Sequence, residues 1–152
     1  MKRIPFNLRP FRGADLGALA AIDRDCFPPG ISYTRTELLG FIGLRNAKTW
    51  VAEAGGEILG FVVGERQLRQ VAHIITIDVI KSWRRRGVGA RLLEAVEDWA
   101  RKLGLSTVYL ETAEDNIPAQ RLYQQRGYKQ IETLRDYYAR GLDARVMAKQ
   151  LC

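Results

Sequence analysis

Val71 to Thr112 reads VAHIITIDVIKSWRRRGVGARLLEAVEDWARKLGLSTVYLET, and this stretch decides the fold. Val71 to Ile80 is rich in β-branched residues and predicts a long strand. Val88 to Leu103 sets Val88, Leu92, Val96, Trp99, Ala100 and Leu103 on one stripe at helical spacing, with Gly104 as its stop. Thr107 to Thr112 predicts a short strand. Strand, helix and strand at this spacing make a βαβ unit with parallel strands and a right-handed crossover.

Upstream, Asp15 to Phe27 carries Leu16, Leu19, Ala20, Ile22 and Cys26 at helical spacing, and Pro28-Pro29-Gly30 ends that helix. Thr34 and Glu37 form an S/T-x-x-E capping box that opens a second helix, expected to end near Leu44. Thr49 to Ala54 and Ile58 to Glu65, joined at Gly55-Gly56, predict a β-hairpin. Downstream, Asn116 can cap a helix running to Arg126, ended by Gly127. Tyr128 to Leu134 and Ala144 to Leu151 are the last two predicted strands. Helices alternate with strands only in the second half, which implies an α/β or α+β fold. Its sheet is mixed, with a central βαβ unit and helices on both faces.

The 152 residues hold 24 Lys+Arg and 17 Asp+Glu, a net charge of +7, with 47% hydrophobic and 27% charged residues. This is ordinary globular composition, and no repeat or linker interrupts it, so residues 1–152 are expected to form a single domain. The longest apolar run, Ile58 to Gly64, is far short of a membrane span, and MKRIPFNLRPF lacks the apolar centre and cleavage site of a leader. A soluble, cytoplasmic monomer or weak homodimer is the expectation. Cys26, Cys152 and His73 cannot build a Cys/His zinc site, so no metal is expected. Cys26 is expected to be half-buried, Cys152 a free terminal thiol, and His73 a strand residue.

The basic excess favours an anionic partner. It is scattered except at Arg84-Arg85-Arg86, which leads directly into Gly87-Val88-Gly89-Ala90 between the strand and the helix. Glycines there let backbone N–H groups converge, the helix N-terminus adds its positive dipole end, and three guanidinium groups stand beside them. The loop suits a pyrophosphate. A Walker A loop is excluded because no GK[ST] ends the run. A Rossmann loop needs Gly or Ala where this chain has Leu92, although Glu111 lies about where a ribose-binding acid would. Nucleic acid is a poor match, since no recognition helix or aromatic RNA platform is present.

Arg84, Gly87 and Gly89 in the pattern Arg-x-x-Gly-x-Gly resemble the acyl-CoA-binding motif of the GNAT family of N-acetyltransferases. The likeness extends to Ile77-Asp78-Val79, Leu92-Leu93, Leu110-Glu111-Thr112, Asn116, Ala119, Leu122-Tyr123 and Gly127-Tyr128. Arg135-Asp136-Tyr137-Tyr138, Asp143-Ala144 and Met147 are similar to the ribosomal-protein-alanine (RimI-type) and archaeal or eukaryotic N-terminal acetyltransferases. The resemblance implies a mostly antiparallel sheet and an enzyme that moves acetyl from acetyl-CoA to an amine. The acceptor it implies is a protein N-terminus, with lysine side chains and small amines as alternatives. It also implies that Ile77, Asp78 and Val79 pair with the pantetheine arm, and that Arg84, Arg85, Arg86, Gly87, Val88, Gly89 and Ala90 hold the pyrophosphate. Asn116 and Tyr123 would face the cofactor, while Ile31, Tyr33, Tyr137 and Tyr138 would line the acceptor site.

The chemistry can be argued independently. An amine is mostly protonated at neutral pH and must lose a proton to attack a thioester. Glu111, at a strand end beside the loop, is the best-placed base, and the Tyr123 phenol can protonate the departing thiolate. In the RimI-type enzymes the matching Glu and Tyr carry these roles, and direct transfer in a ternary complex needs no enzyme nucleophile. The chain departs from that pattern in three places. Lys81 stands where proline is common, Thr112-Ala113 replaces Val-Arg, and the loop Phe27-Pro28-Pro29-Gly30-Ile31-Ser32-Tyr33 lacks tryptophan. From another class, a catalytically weak acyl-CoA-binding regulatory module has the same loop.

Overall fold

A computed structural model describes residues 5–151. Its elements are β1 (Asn7–Pro10), α1 (Leu16–Cys26), α2 (Arg35–Ile42), β2 (Ala47–Ala54), β3 (Glu57–Gln67), β4 (Val71–Val79) and α3 (Val88–Lys102). There follow β5 (Thr107–Ala113), α4 (Ile117–Gln125), β6 (Lys129–Ala139) and β7 (Leu142–Gln150). The strands form one sheet in the order β1-β2-β3-β4-β5-β7-β6. Only β4 and β5 run parallel, and α3 connects them, so the sheet is mixed and mostly antiparallel. No helix among the described residues is long and apolar enough to cross a membrane.

Two apolar clusters explain the layering. On one face, Val88, Leu92, Leu93, Val96 and Ala100 of α3 pack on Leu59, Ala72, Ile74, Val108 and Leu110, with Tyr123 and Tyr128 closing the cluster. On the other, Leu16, Leu19, Ala20 and Ile22 of α1 and Leu38 of α2 cover Val51, Phe61 and Val63. Burial of each large aliphatic side chain contributes roughly 1.5–3 kcal/mol, so these clusters dominate the fold's stability.

The capping box is present: the Thr34 hydroxyl accepts from the Glu37 N–H at 3.1 Å and the Glu37 carboxylate accepts from the Thr34 N–H at 3.0 Å. Several boundaries differ from the expected ones. Asp15 belongs to a 3₁₀ turn, because its carboxylate accepts from Arg9 and from the Arg12 N–H instead of serving the helix interior. The strand β1 is not foreshadowed by any sequence pattern, since four residues ending in a proline carry no periodicity. The strand β6 begins at Lys129 rather than Tyr128 and continues past Leu134 to Ala139 through an irregular register. Its residues are almost all exposed, so no alternation marks the continuation beyond Leu134. The expected terminal thiol, Cys152, lies outside the described residues, as does the start of the N-terminal stretch read for a leader.

Candidate active site

β4 and β5 pair only as far as Ile74 and Leu110 and then diverge. From there β4 stays paired to β3 and β5 to β7, so the facing edges have no strand between them. Unpaired peptide groups in that opening are available to an extended, amide-bearing chain.

A bulge at this point sets which side chains look where. Val63 pairs with Thr76 and Gly64 with Ile74, leaving Ile75 as an extra residue in β4. A bulge resets the alternation of faces. Ala72 and Ile74 before it and Ile77 and Val79 after it all pack on the α3 side. Thr76 and Asp78 therefore turn toward α1, where Asp78 meets Asp23. Of the strand residues expected to meet the cofactor, Ile77 and Val79 border the opening, whereas the Asp78 side chain is sealed beneath α1 at 1% exposure. Only its backbone can serve.

The loop after β4 begins with a turn at Lys81–Trp83 and ends at the N-terminus of α3. Arg85 and Gly87 take positive φ of 61° and 89°. A Cβ on Gly87 would meet nothing within 4 Å, so the concavity there is open. At Gly89 a Cβ would approach Leu122 Cδ2 at 2.9 Å, which explains why α3 and α4 can pack so closely. The arginines divide their work. Arg84 Nε donates to the Val79 carbonyl at 3.1 Å and its Nη2 reaches Cys26 Sγ at 3.5 Å. Arg86 lies over the Trp83 ring at 5.0 Å. Arg85 is exposed. A cavity of about 270 Å³ lies between α1 and this loop, lined by Ile22, Asp25, Cys26, Ile80, Lys81 and Arg84. Cys26 is half-buried; burial and the Asp78 charge push its thiol upward, so it is a poor nucleophile.

Glu111 sits one residue past the last β4–β5 pair, at the apex of the opening. Sequence reasoning set His73 aside as a plain strand residue, yet His73 Nε2 lies 2.6 Å from Glu111 Oε2 and Nδ1 lies 3.0 Å from Glu65 Oε1. Tyr109, its partner in the parallel register, stacks on the imidazole at 4.5 Å and donates to Gln67 Oε1 at 2.7 Å. The signal was available: parallel pairing of His73 with Tyr109 puts Glu111, two residues on, on the same face. Burial disfavours the imidazolium, but the hydrogen bonds and charges of Glu111 and Glu65 outweigh it and raise the His73 pKa. Carboxylates only accept, so a doubly protonated ring satisfies both.

Aromatic residues from the α1–α2 loop and from β6 lie near Glu111. Tyr33, from the α1–α2 loop, is pushed up to about 12 by burial and by the neighbouring charges of Tyr137, Asp23 and Glu111. Tyr138 and Tyr137 of β6 lie edge to face at 5.0 Å, and burial followed by the Glu111 charge raises both phenols. Ile31 sits in the turn below Tyr33, its N–H bonded to the Pro28 carbonyl at 3.1 Å. Tyr123, on α4, is buried and its phenol is raised by burial and then by Asp78, so it stays protonated at neutral pH. Asn116 caps α4 by accepting from the Ala119 N–H at 3.3 Å.

The family model described as "Acetyltransferase (GNAT) family" matches residues 16–128. The chain belongs to the GNAT family. An N-alpha-acetyltransferase of Sulfurisphaera tokodaii is 31% identical over 96% of this chain and 93% of its own length. The N-alpha-acetyltransferase RimI of Mycobacterium tuberculosis is 34% identical over 91% and 84%. Among solved structures, Ard1 from Thermoplasma volcanium superposes with a TM-score of 0.87 at 26% identity, covering 97% of this chain and 98% of its own.

As a GNAT acetyltransferase this protein is an enzyme that uses acetyl-CoA. Its residues fit that molecule. The open β4 edge, the empty space over Gly87 and the free N–H groups at the start of the 15-residue α3 provide, in order along the chain, for an amide-bearing arm and a pyrophosphate.

Proposed function

We propose that this GNAT acetyltransferase modifies the N-terminal α-amine of a protein or peptide by direct attack in a ternary complex. Acetyl-CoA would supply the acetyl thioester. Its arm would lie along the backbone of Ile77, Asp78 and Val79, with its pyrophosphate on the amides from Arg85 to Ala90. Arg85 is the free cation of the three, while Arg84 and Arg86 brace the loop. Asn116 and Tyr123 would border it from α4.

Glu111 takes the proton of the incoming ammonium. Its Oε2 faces His73, so the other oxygen is the one turned to the amine, and His73 leads from there to Glu65. Tyr123 gives its phenolic proton to the departing thiolate, a role its raised pKa suits. Ile31, Tyr33, Tyr137 and Tyr138 would hold the acceptor chain.

The observation that carries a peptide acceptor over a polycation is His73 itself. It bridges the two carboxylates, Glu65 and Glu111, and its single positive charge offsets one of their two negative charges, which weakens the acidic pocket a polycation needs. Tyr137 is 51% exposed, so the mouth is open on the β6 side as a chain running through it requires. The names carried by the relatives point the same way. The test is acetyl transfer to three acceptors: a peptide with a free N-terminus, the same peptide N-formylated but containing lysine, and spermidine. Turnover of the first alone is expected. Turnover of spermidine or of the blocked peptide, with none of the first, overturns the reading.

A further inference from the structure

The α1–α2 loop is joined to the cofactor strand through two carboxyl groups that the reaction does not use. Asp23 of α1 is 0% exposed and Asp78 of β4 is 1% exposed. Asp23 Oδ2 accepts the Tyr33 backbone N–H at 2.6 Å, and Asp78 Oδ1 accepts the Thr76 hydroxyl at 2.6 Å. Their other oxygens, Asp23 Oδ1 and Asp78 Oδ2, are buried without any other donor, and the two side chains are within hydrogen-bonding reach of each other. Two bare carboxylates cannot face each other in such a site; a single proton between them turns repulsion into an O–H···O bond. Gly60 lets β3 lie close against the backbone of β4 at Asp78, because a Cβ there would collide with the Asp78 carbonyl oxygen.

We propose that Asp23 and Asp78 share one proton and act as a positioning pair, a latch that holds Tyr33 and the acceptor mouth against the cofactor strand. This rests on the N-terminal acetyltransferase reading only for the identity of the acceptor. The latch closes the gap between the two halves of the site: α1 carries one acid, β4 the other, and Tyr33 hangs from the first. The groups facing the pair are Cys26 on α1, Tyr33 on the loop, Tyr123 on α4 and the Arg84 guanidinium beyond β4. Cys26, Tyr33 and Tyr123 are all raised and stay neutral around pH 7, and Arg84 is held on the Val79 carbonyl and Cys26. The proton shared by the pair is the one on which the attachment of the loop depends. Its loss sets two charges against each other and frees the loop.

Two measurements on the full chain test this. The first is the infrared spectrum of the folded protein as pH is raised, with Asp23→Asn as control. A carboxylic-acid C=O band that disappears in the parent and is missing in Asp23→Asn is expected. No such band in the folded parent at any pH overturns the shared proton. The second is acceptor KM against pH, with a free-N-terminus peptide. The parent KM is expected to rise several-fold from neutral to alkaline pH, with KM for acetyl-CoA unchanged. In Asp23→Asn the amide still accepts from Tyr33 and donates to Asp78 permanently, so its acceptor KM stays flat. Asp23→Ala loses both bonds and shows a raised acceptor KM throughout. An Asp23→Asn curve that tracks the parent overturns the positioning role. The infrared band needs no acceptor, so a parent that shows the band but leaves peptides untouched overturns the N-terminal reading and not the latch.

Discussion

His73 Nε2 and Glu111 Oε2 stand 2.6 Å apart across the last parallel pair of β4 and β5, where the sheet begins to open. The pair ties the proposed base to a second carboxylate, Glu65, through one imidazole. Orientation is the consequence: Glu111 has one oxygen fixed and one available. Glu111→Gln keeps shape and hydrogen bonding but cannot take a proton. Its kcat is expected to fall by about 10²–10⁴-fold, the usual range for a lost general base, with the Kd for acetyl-CoA unchanged. Steady-state kinetics with isothermal titration separates the two. An unchanged kcat removes Glu111 from the chemistry.

The same bridge makes stability depend on pH in a defined direction. The His73 pKa is raised above its ordinary 6.5, so the folded protein holds this proton more tightly than the unfolded chain. The stabilisation is complete below the unfolded value and is lost as pH rises through the folded one. His73→Gln should be less stable than the parent under mildly acidic conditions, and the difference should shrink as the solution becomes alkaline. Thermal melts of both proteins across that window measure it. A difference that grows with pH is the opposite sign and contradicts the bridge.

Much of this site is legible in the sequence because it depends on local chemistry. The glycine loop, the capping box of α2, the Asn116 cap and the stripe of α3 are all fixed by residues within a few positions of each other. What the sequence hides is non-local. The extra residue Ile75 in β4 shows only against the register of β3, and it alone decides that Asp78 faces Asp23 rather than α3. His73 gains its meaning from Glu65 and Glu111, eight and 38 positions away. The arginine run reads as three equal anion ligands, yet Arg84 and Arg86 are committed to the Val79 carbonyl and the Trp83 ring. An edge strand such as β6, with most of its residues exposed, is legible only in part: its start is read as a strand, and its continuation past Leu134 to Ala139 is not.

Gly60 is the tightest backbone contact beside the site. A Cβ there would collide with the Asp78 carbonyl oxygen and come within 3.2 Å of Val79 Cα, both parts of a paired strand that cannot yield like a side-chain end. Gly60→Ala is expected to cost roughly 2–3 kcal/mol, the scale of overpacking, and to lower Tm by about 5–10 °C. It should also raise KM for acetyl-CoA, since the displaced peptide groups are those of the strand proposed to hold the cofactor. A Tm within a degree or so of the parent, measured by calorimetry, would show that β3 and β4 separate more freely than their register implies.

Far from the opening, Arg9 joins β1 to the turn before α1. Its Nη1 and Nη2 donate to both oxygens of Asp15 at 2.8 and 2.9 Å, and its Nε donates to Glu53 at 2.8 Å. The forked geometry, together with the Arg12 N–H, holds the Asp15 carboxyl below its ordinary value of 3.8. The sign is the reverse of the histidine case: this stabilisation is present above 3.8 and is lost as pH falls through the folded value. Asp15→Asn keeps the shape but gives up the charge, and should cost about 1 kcal/mol near neutral pH, at the low end for a charge-assisted pair because solvent reaches its rim. The cost should vanish in acid, where the parent carboxyl is protonated as well. Urea unfolding at neutral and acidic pH reads both values. An equal difference at the two would show that Asp15 serves the turn through its shape and not through its charge.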